Sequence, residues 1–434
     1  QTMSDVLWML PGRSRPTDGI PTFLNAPGSV SQVGGMAECL EAESVFIITD
    51  KGITGAGLTA KVKQCIEDAG IKCIVFDDVV PNPTEQIIDE GARQLRACPK
   101  PTVVLTLGGG SSMDAGKAIA VMGGEDDDAK VADYCSQPKL QAKSTTIDFT
   151  TMIPAEMATG DACKIIAVPT TSGTASETNG HAVVTLNSGR KVIFSSPKAK
   201  AAIIVLDAEL CVGVPAYSTA TCGMDVLTHA LEAYTAKKQN AYADAIAIGA
   251  IKLVAENLLA VSKDRSDVKL RGNMHLASHM AGVAFNLSGL GIVHAMGHPL
   301  SAMYHQAHGQ TLSTLLPYLM EFNLEKCTSK YAEVAKAFGV HQAHLSDTEN
   351  AKLAIKAIAQ LSHQVGTDRP ISGMHKGTYN DFCKNDIPEL VTQALSDLSI
   401  VSTVRKPSVD DIASIYKEAY HGTRYLTTRS LSSK

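Results

Sequence analysis

In the first half of the chain, apolar residues fall in short continuous runs: Val45-Phe-Ile-Ile-Thr49, Cys73-Ile-Val-Phe76, Thr102-Val-Val-Leu-Thr-Leu107, Lys164-Ile-Ile-Ala-Val168 and Ala202-Ile-Ile-Val-Leu206. Runs of this length, rich in β-branched residues, predict strands buried on both faces. Helical periods separate them, at about 55–70 closed by Gly70, from Thr84 as cap to about Leu95, and from the glycines at 108–110 to about Met122. Strands alternating with helices at this spacing predict parallel βαβ units with right-handed crossovers. Ala182–Leu186 and Lys191–Phe194, separated by Asn187-Ser-Gly189-Arg190, read as a hairpin. Residues 123–163 show the least regular pattern.

After Asp207 the period becomes helical and stays so, with helices expected over 239–260, 271–286, 310–338, 349–364, 387–397 and 408–420. The fold expected is therefore an α/β domain over 3–207, with a parallel sheet and helices, followed by an all-α domain over 208–434. Residues 3–25, with Pro11, Gly12, Pro16, Gly19, Pro21 and the single Trp8, read as an irregular arm of the kind that docks on another subunit.

Composition narrows the function classes. The chain has 434 residues, 44% of them apolar, and a formal net charge of −5. That length favours two cores over one, and the charge offers no basic excess for nucleic acid or an anionic membrane. No apolar run approaches the ~20 residues of a spanning helix. No charged segment followed by a long apolar stretch suggests a secretory signal. The ten cysteines are scattered without a Cys-x-x-Cys pair, which predicts reduced structural thiols in a cytoplasmic protein. Cys222, three residues before Asp225, is expected to pack in the core. Glu125-Asp-Asp-Asp128 is expected to be a solvated acidic loop.

The candidate chemistry lies at the strand ends and in two histidine-rich helices. Gly108-Gly-Gly-Ser111-Ser112 follows a strand and opens a helix, so backbone N–H groups and a positive helix end face whatever binds there. A second turn, Pro169-Thr170-Thr171-Ser-Gly173-Thr174, also follows a strand. No Gly-x-Gly-x-x-Gly is present. Asp50 ends the first strand, where a carboxylate accepts hydrogen bonds from the ribose hydroxyls of NAD and repels the 2′-phosphate of NADP. Asp225 and His229, four apart in an Ala/Leu-rich helix, share one face. His294 and His298 repeat that spacing, with His305 and His308 close behind. One carboxylate and several imidazoles form a first shell for a divalent metal, although spacing does not choose among the four later histidines. His275 and His279 lack a neighbouring carboxylate and are expected to be ordinary helix residues.

Five motifs occurring in one order carry a resemblance: Gly108-Gly-Gly-Ser111, Pro169-Thr-Thr-Ser-Gly-Thr-Ala-Ser-Glu177, Asp225-x-x-x-His229, Gly291-Ile-Val-His294-Ala-Met-Gly-His298-Pro-Leu300, and His308-Gly309. Together, over roughly residues 25–425, the chain resembles the iron-dependent (group III) alcohol dehydrogenases. The resemblance implies an NAD-binding domain, a helical metal domain and a cleft between them. It also implies that Asp225, His229, His294 and His308 hold the metal, Fe²⁺ by family expectation with Zn²⁺ as the alternative. His298 would serve as a proton relay. Asp50, Asn82, Gly109, Gly110, Ser111, Asp114, Thr170, Thr171, Thr174 and Lys191 would face NAD. The expected activity is oxidation of a small alcohol or diol with NAD, or reduction of the aldehyde or ketone, in a homodimer or larger homo-oligomer. The competing readings are a zinc polyol dehydrogenase, a hydroxyacid–oxoacid transhydrogenase and a non-catalytic nucleotide-binding protein.

Overall fold

The computed structural model describes residues 22–136 and 157–422. Residues 3–21 of the expected arm and 137–156 of the irregular stretch lie outside the described residues. The chain divides into two compact units: one takes residues up to Thr171 and Ala175–Gly213, the other Ser172–Thr174 and everything from Val214.

The first unit is built on strands β1 Thr22–Asn25, β2 Ser44–Asp50, β3 Lys72–Val79, β4 Thr102–Gly108, β6 Ile165–Pro169 and β9 Ile203–Leu206, in the order β1-β9-β6-β4-β2-β3. Every pairing in this sheet is parallel. Phe46, Ile48 and Val104 pack into a core on one face, while Val45, Ile47, Val103 and Leu105 pack into a separate core on the other. A sheet covered on both faces explains the continuous apolar runs. Helices α1 Val33–Cys39, α2 Lys51–Gly55, α3 Leu58–Glu67, α4 Glu85–Arg96 and α5 Gly110–Met122 complete the layers. Strands β5 Cys135–Ser136, β7 His181–Thr185 and β8 Lys191–Ser195 form a small antiparallel sheet containing the expected hairpin.

Three local expectations change. Thr22–Asn25 is not irregular but is one of the two edge strands, in parallel register with Ile203–Leu206; only that pairing, made across most of the unit's sequence, defines it as a strand. The helix expected from 55 is split at Gly57, whose φ of 79° breaks the helical path, and a short turn capped by Asp50 precedes the break. Glu125 does not belong to a solvated loop: it accepts hydrogen bonds from Tyr134 Oη at 3.1 Å and Gly160 N at 2.7 Å, whereas Asp126, Asp127 and Asp128 are exposed.

The second unit is helical: α6 Ala216–Thr235, α7 Ala241–Lys263, α8 Val268–Ser288, α9 Ile292–Tyr304, α10 His308–Ala337, α11 Asp347–Gln364, α12 Ile387–Ser396 and α13 Val409–His421. Among the described residues α7 is long and apolar enough to cross a membrane, as is the bent pair α8 and α9 if taken as one span, where no such run was expected. Helix α7 buries Ala243, Ala247, Ala250, Ile251, Val254, Leu258 and Val261 in the helical core, as the central helix of a globular unit does.

Candidate metal centre and nucleotide-binding turns

Asp225 and His229 lie on consecutive turns of α6, in a stretch buried almost all round. The turn between α8 and α9 places Gly291 as the N-cap of α9, so His294 falls in the first turn of that helix. His305 adopts a left-handed conformation (φ 51°) and ends α9; the chain re-enters helix at His308, the first residue of α10. Gly309 lets the two helices meet there, because a Cβ at this position would lie 1.9 Å from the carbonyl oxygen of Thr221 on α6.

The result is convergence on one atom. Asp225 Oδ1 lies 3.5 Å from His229 Nε2, 3.6 Å from His294 Nε2 and 3.6 Å from His308 Nε2. These separations exceed hydrogen-bond length, and Asp225 Oδ1 and His294 Nε2 are buried with no hydrogen-bond partner among the described residues. A tetrahedral ion with ligands at ~2.1 Å requires donor atoms about 3.4 Å apart. The donor set therefore fits a divalent cation, and Asp225, His229 and His294 have the spacing of a metal-binding group. His308 is about one-third exposed where the other three are buried, so the accessible side of the cage is the side of α10.

Charge follows the geometry. The surrounding imidazoles outweigh burial and hold the Asp225 carboxyl well below its usual range. Burial lowers His229 to about 4, despite the attraction of Asp225, and desolvation together with the neighbouring imidazoles lowers His308. Burial also acts against charge on His294, but the Glu232 and Asp225 carboxylates prevail and raise it to about 9.

Glu232 escaped the sequence reading. It lies one turn beyond His229 on α6, is 6% exposed, and accepts hydrogen bonds from Gly291 N (2.9 Å), Val293 N (2.6 Å) and His294 Nδ1 (2.6 Å). One carboxylate thus fills the vacant donors at the start of α9 and engages His294 at Nδ1, so that Nε2 is the ring nitrogen turned towards Asp225. The available signal was the spacing Asp225, His229, Glu232, which puts all three on one helical face.

His298 stands beside the cage, not in it. Its Nδ1 pairs with Asp397 Oδ2 at 2.7 Å, and its ring stacks on His308 with centroids 5.1 Å apart. His298 overcomes burial at Asp397 and lowers that carboxyl. His275 and His279 are both buried on α8, and His275 Nδ1 is 2.9 Å from Ser172 Oγ. Cys222 packs against Gly173, and burial together with Asp225 pushes its thiol up to about 12.

In the first unit, Asp50, Asn82, Gly109, Gly110, Ser111, Thr170 and Thr171 lie at or just after the carboxyl ends of β2, β3, β4 and β6, whereas Lys191 opens β8 and Thr174 belongs to the second unit. Strand order reverses between β2 and β4, the place where such sheets bind ligands. Asp50 Oδ1 caps α2 through Gly52 N and Ile53 N, and its Oδ2 accepts from Ser112 Oγ at 3.1 Å. Gly108 has a φ of 144°, and a Cβ there would lie 2.5 Å from Ser112 Oγ; the turn requires glycine, and no side chain caps the start of α5 among the described residues. Asn82, with φ 57°, donates its N–H to Ser111 Oγ at 3.3 Å. Thr185 on the hairpin reaches Asn82 O and lies in register with Lys191, whose ammonium burial lowers in pKa. Asp114 points elsewhere: its carboxylate meets Ser176 Oγ, Val183 N and Lys117. Thr170 is buried, Thr171 half-buried beside Gly109, and Thr174 exposed. These turns have the amides, hydroxyls and strand-end acid that a dinucleotide needs.

Comparison with known proteins decides the family. Residues 21–208 match the model of the iron-containing alcohol dehydrogenases, and residues 219–420 match the C-terminal model of the Fe-containing alcohol dehydrogenase family. The chain belongs to the iron-containing alcohol dehydrogenase family. It is a metal-dependent alcohol oxidoreductase with an α/β N-terminal region and a helical C-terminal region, as the resemblance implied. A 1,3-propanediol dehydrogenase of Citrobacter freundii is 34% identical over 91% of this chain and 96% of its own length. An NAD-dependent methanol dehydrogenase of Bacillus methanolicus is 32% identical over 92% of this chain and 98% of its own. The crystal structure of a 1,3-propanediol oxidoreductase superposes with a TM-score of 0.82 at 33% identity, covering 92% of this chain and 98% of that one.

Proposed function

We propose that this chain oxidises a small primary alcohol or diol with NAD, and reduces the corresponding aldehyde in reverse, at a site held by Asp225, His229, His294 and His308. The observation that carries the reading is the convergence of three imidazole Nε2 atoms on Asp225 Oδ1 at 3.5–3.6 Å. When bound, a divalent cation supplies Lewis acidity that favours ionisation of an alcohol, and NAD supplies the hydride acceptor. The oxygen and nitrogen donors suit Fe²⁺, the family's metal, and also Zn²⁺.

The chain's own residues do the rest. Asp225 brings one negative charge and leaves the site net positive. Glu232 holds His294 in the orientation that presents Nε2. His298, anchored at Nδ1 by Asp397, has Nε2 available to take the alcohol proton and pass it to solvent, which general-base catalysis makes worth roughly 10²–10⁴-fold. Asp50, Asn82, Gly109, Gly110, Ser111, Thr170, Thr171, Thr174 and Lys191 face NAD, while Asp114 serves it indirectly. Residues 3–207 act as the nucleotide domain and 208–434 as the metal domain. The ten cysteines, all free, suit a reducing cytoplasm; the proposed assembly is a homodimer or larger homo-oligomer, which light scattering would size.

Anaerobic metal analysis combined with a panel of short alcohols, diols and aldehydes tests the reading. We expect about one ion per chain and NAD reduction by the short alcohols or diols. A metal-free protein that still oxidises alcohols would overturn it. Turnover without added NAD would move the chain to the transhydrogenase reading.

A further inference from the structure

Two turns into α5, the helix that follows the glycine turn, Lys117 is buried to 3% exposure. Its Nζ lies 2.9 Å from Ser176 O, 2.5 Å from Ser176 Oγ, 3.3 Å from Asn179 Oδ1 and 3.2 Å from Asp114 Oδ1, and it also donates to His181 O. Asp114 completes the cluster by accepting from Ser176 Oγ at 2.5 Å and Val183 N at 3.0 Å. A buried ammonium persists only where its protons are all taken up, and here every acceptor except Asp114 comes from the segment 176–181. That segment joins the hydroxyl-rich turn after β6 to the β7–β8 hairpin. At the hairpin's other end Thr185 N donates to Pro83 O at 2.8 Å, beside Asn82.

We propose that Lys117, with Asp114 as counter-ion, is a positioning residue for dinucleotide binding: it clamps residues 176–181 and the Lys191 hairpin that follows them onto the helix that carries the glycine turn. The proposal rests on the reading of that turn as the NAD site. Lys117 itself touches no nucleotide. Its contribution is to hold three separately encoded pieces (the glycine turn, the segment 176–181 and the hairpin) in one register, so that binding does not require ordering them.

The test is NADH titration of the full-length protein by fluorescence, with metal content and melting temperature measured in parallel. Lys117→Met is expected to raise the NADH Kd about tenfold with bound metal unchanged, and Lys191→Ala is expected to cost less in the Lys117→Met background than alone, as coupled sites do. Lys117→Arg should recover part of the affinity. A role confined to stability would lower the melting temperature yet leave the Kd of the folded variant at the wild-type value. That result, or strict additivity with Lys191→Ala, overturns the clamp. Should Lys117→Met not fold, Ser176→Ala takes its place, with an expected loss of roughly threefold, and a wild-type Kd there is equally fatal. Failure of the wild-type protein to bind NADH would instead overturn the underlying reading of the glycine turn.

Discussion

Glu232 Oε2 lies 2.6 Å from His294 Nδ1, and the same carboxylate takes up the N–H groups of Gly291 and Val293. A helix start and an imidazole orientation are therefore set by one side chain that reaches no substrate. Glu232→Gln keeps the size but removes the charge and turns one acceptor into a donor facing a donor. Titration of the metal-free protein with Co²⁺ or Zn²⁺ should give a Kd about 10–100-fold weaker. An unchanged Kd would show that His294 needs no such partner.

Removal of a proposed ligand should separate metal binding from folding. Asp225→Ala and His294→Ala are each expected to lose the ion and alcohol oxidation, because the cage falls to three donors and, in Asp225→Ala, also loses its one negative charge. Far-UV circular dichroism should stay close to wild type, since the helical core packs through Met224, Leu227, Val254 and Leu315 rather than through the ligands. Full metal stoichiometry in both variants would refute the assignment.

His298 is linked to Asp397 rather than aimed at Asp225, so its loss should spare the metal. His298→Ala is expected to keep one ion per chain while kcat falls by roughly 10²-fold or more and the pH–rate profile changes shape. A wild-type pH profile would argue against the relay.

Asp50 has two tasks, and a substitution must keep them apart. Its Oδ1 caps α2, worth about 1 kcal/mol, while its charge faces the proposed ribose site. Asp50→Asn preserves an N-cap oxygen and removes the charge. Relative use of NADP over NAD should rise by about tenfold or more, with the melting temperature little altered. A constant cofactor ratio would leave Asp50 with the cap alone.

The sequence made legible what depends on local period. Strands β2, β4, β6 and β9 are continuous apolar runs because both their faces are buried, and the pairing of His with Asp at four-residue spacing marks α6. What stayed hidden depends on distant segments. Thr22–Asn25 alternates in burial and becomes a strand only through β9. Glu232 reads as one acid on an alanine-rich helix until the turn before α9 delivers two N–H groups to it. Lys117 carries no signal in the local pattern, because its acceptors lie about sixty residues on, in 176–181. The four later histidines could not be ranked by spacing, because the left-handed turn at His305 and the contact at Gly309 decide which ring reaches Asp225. His275 and His279 illustrate the converse: a regular spacing without a carboxylate belonged to packing.

The side chains that converge on Asp225 come from three helices, and Asp225 and His308 are separated by most of α6 to α9. An ion held by all of them acts as a cross-link in the tertiary structure as well as an electrophile. Since the unfolded chain offers no preformed cage, ligation at a hundredfold excess over Kd should add about 2.7 kcal/mol to stability. Chelation should then lower the melting temperature by roughly 5–10 °C, and readdition of Fe²⁺ or Zn²⁺ should restore it. Supply of the ion would in that case govern how much of this protein persists in a cell, and not only how fast it works.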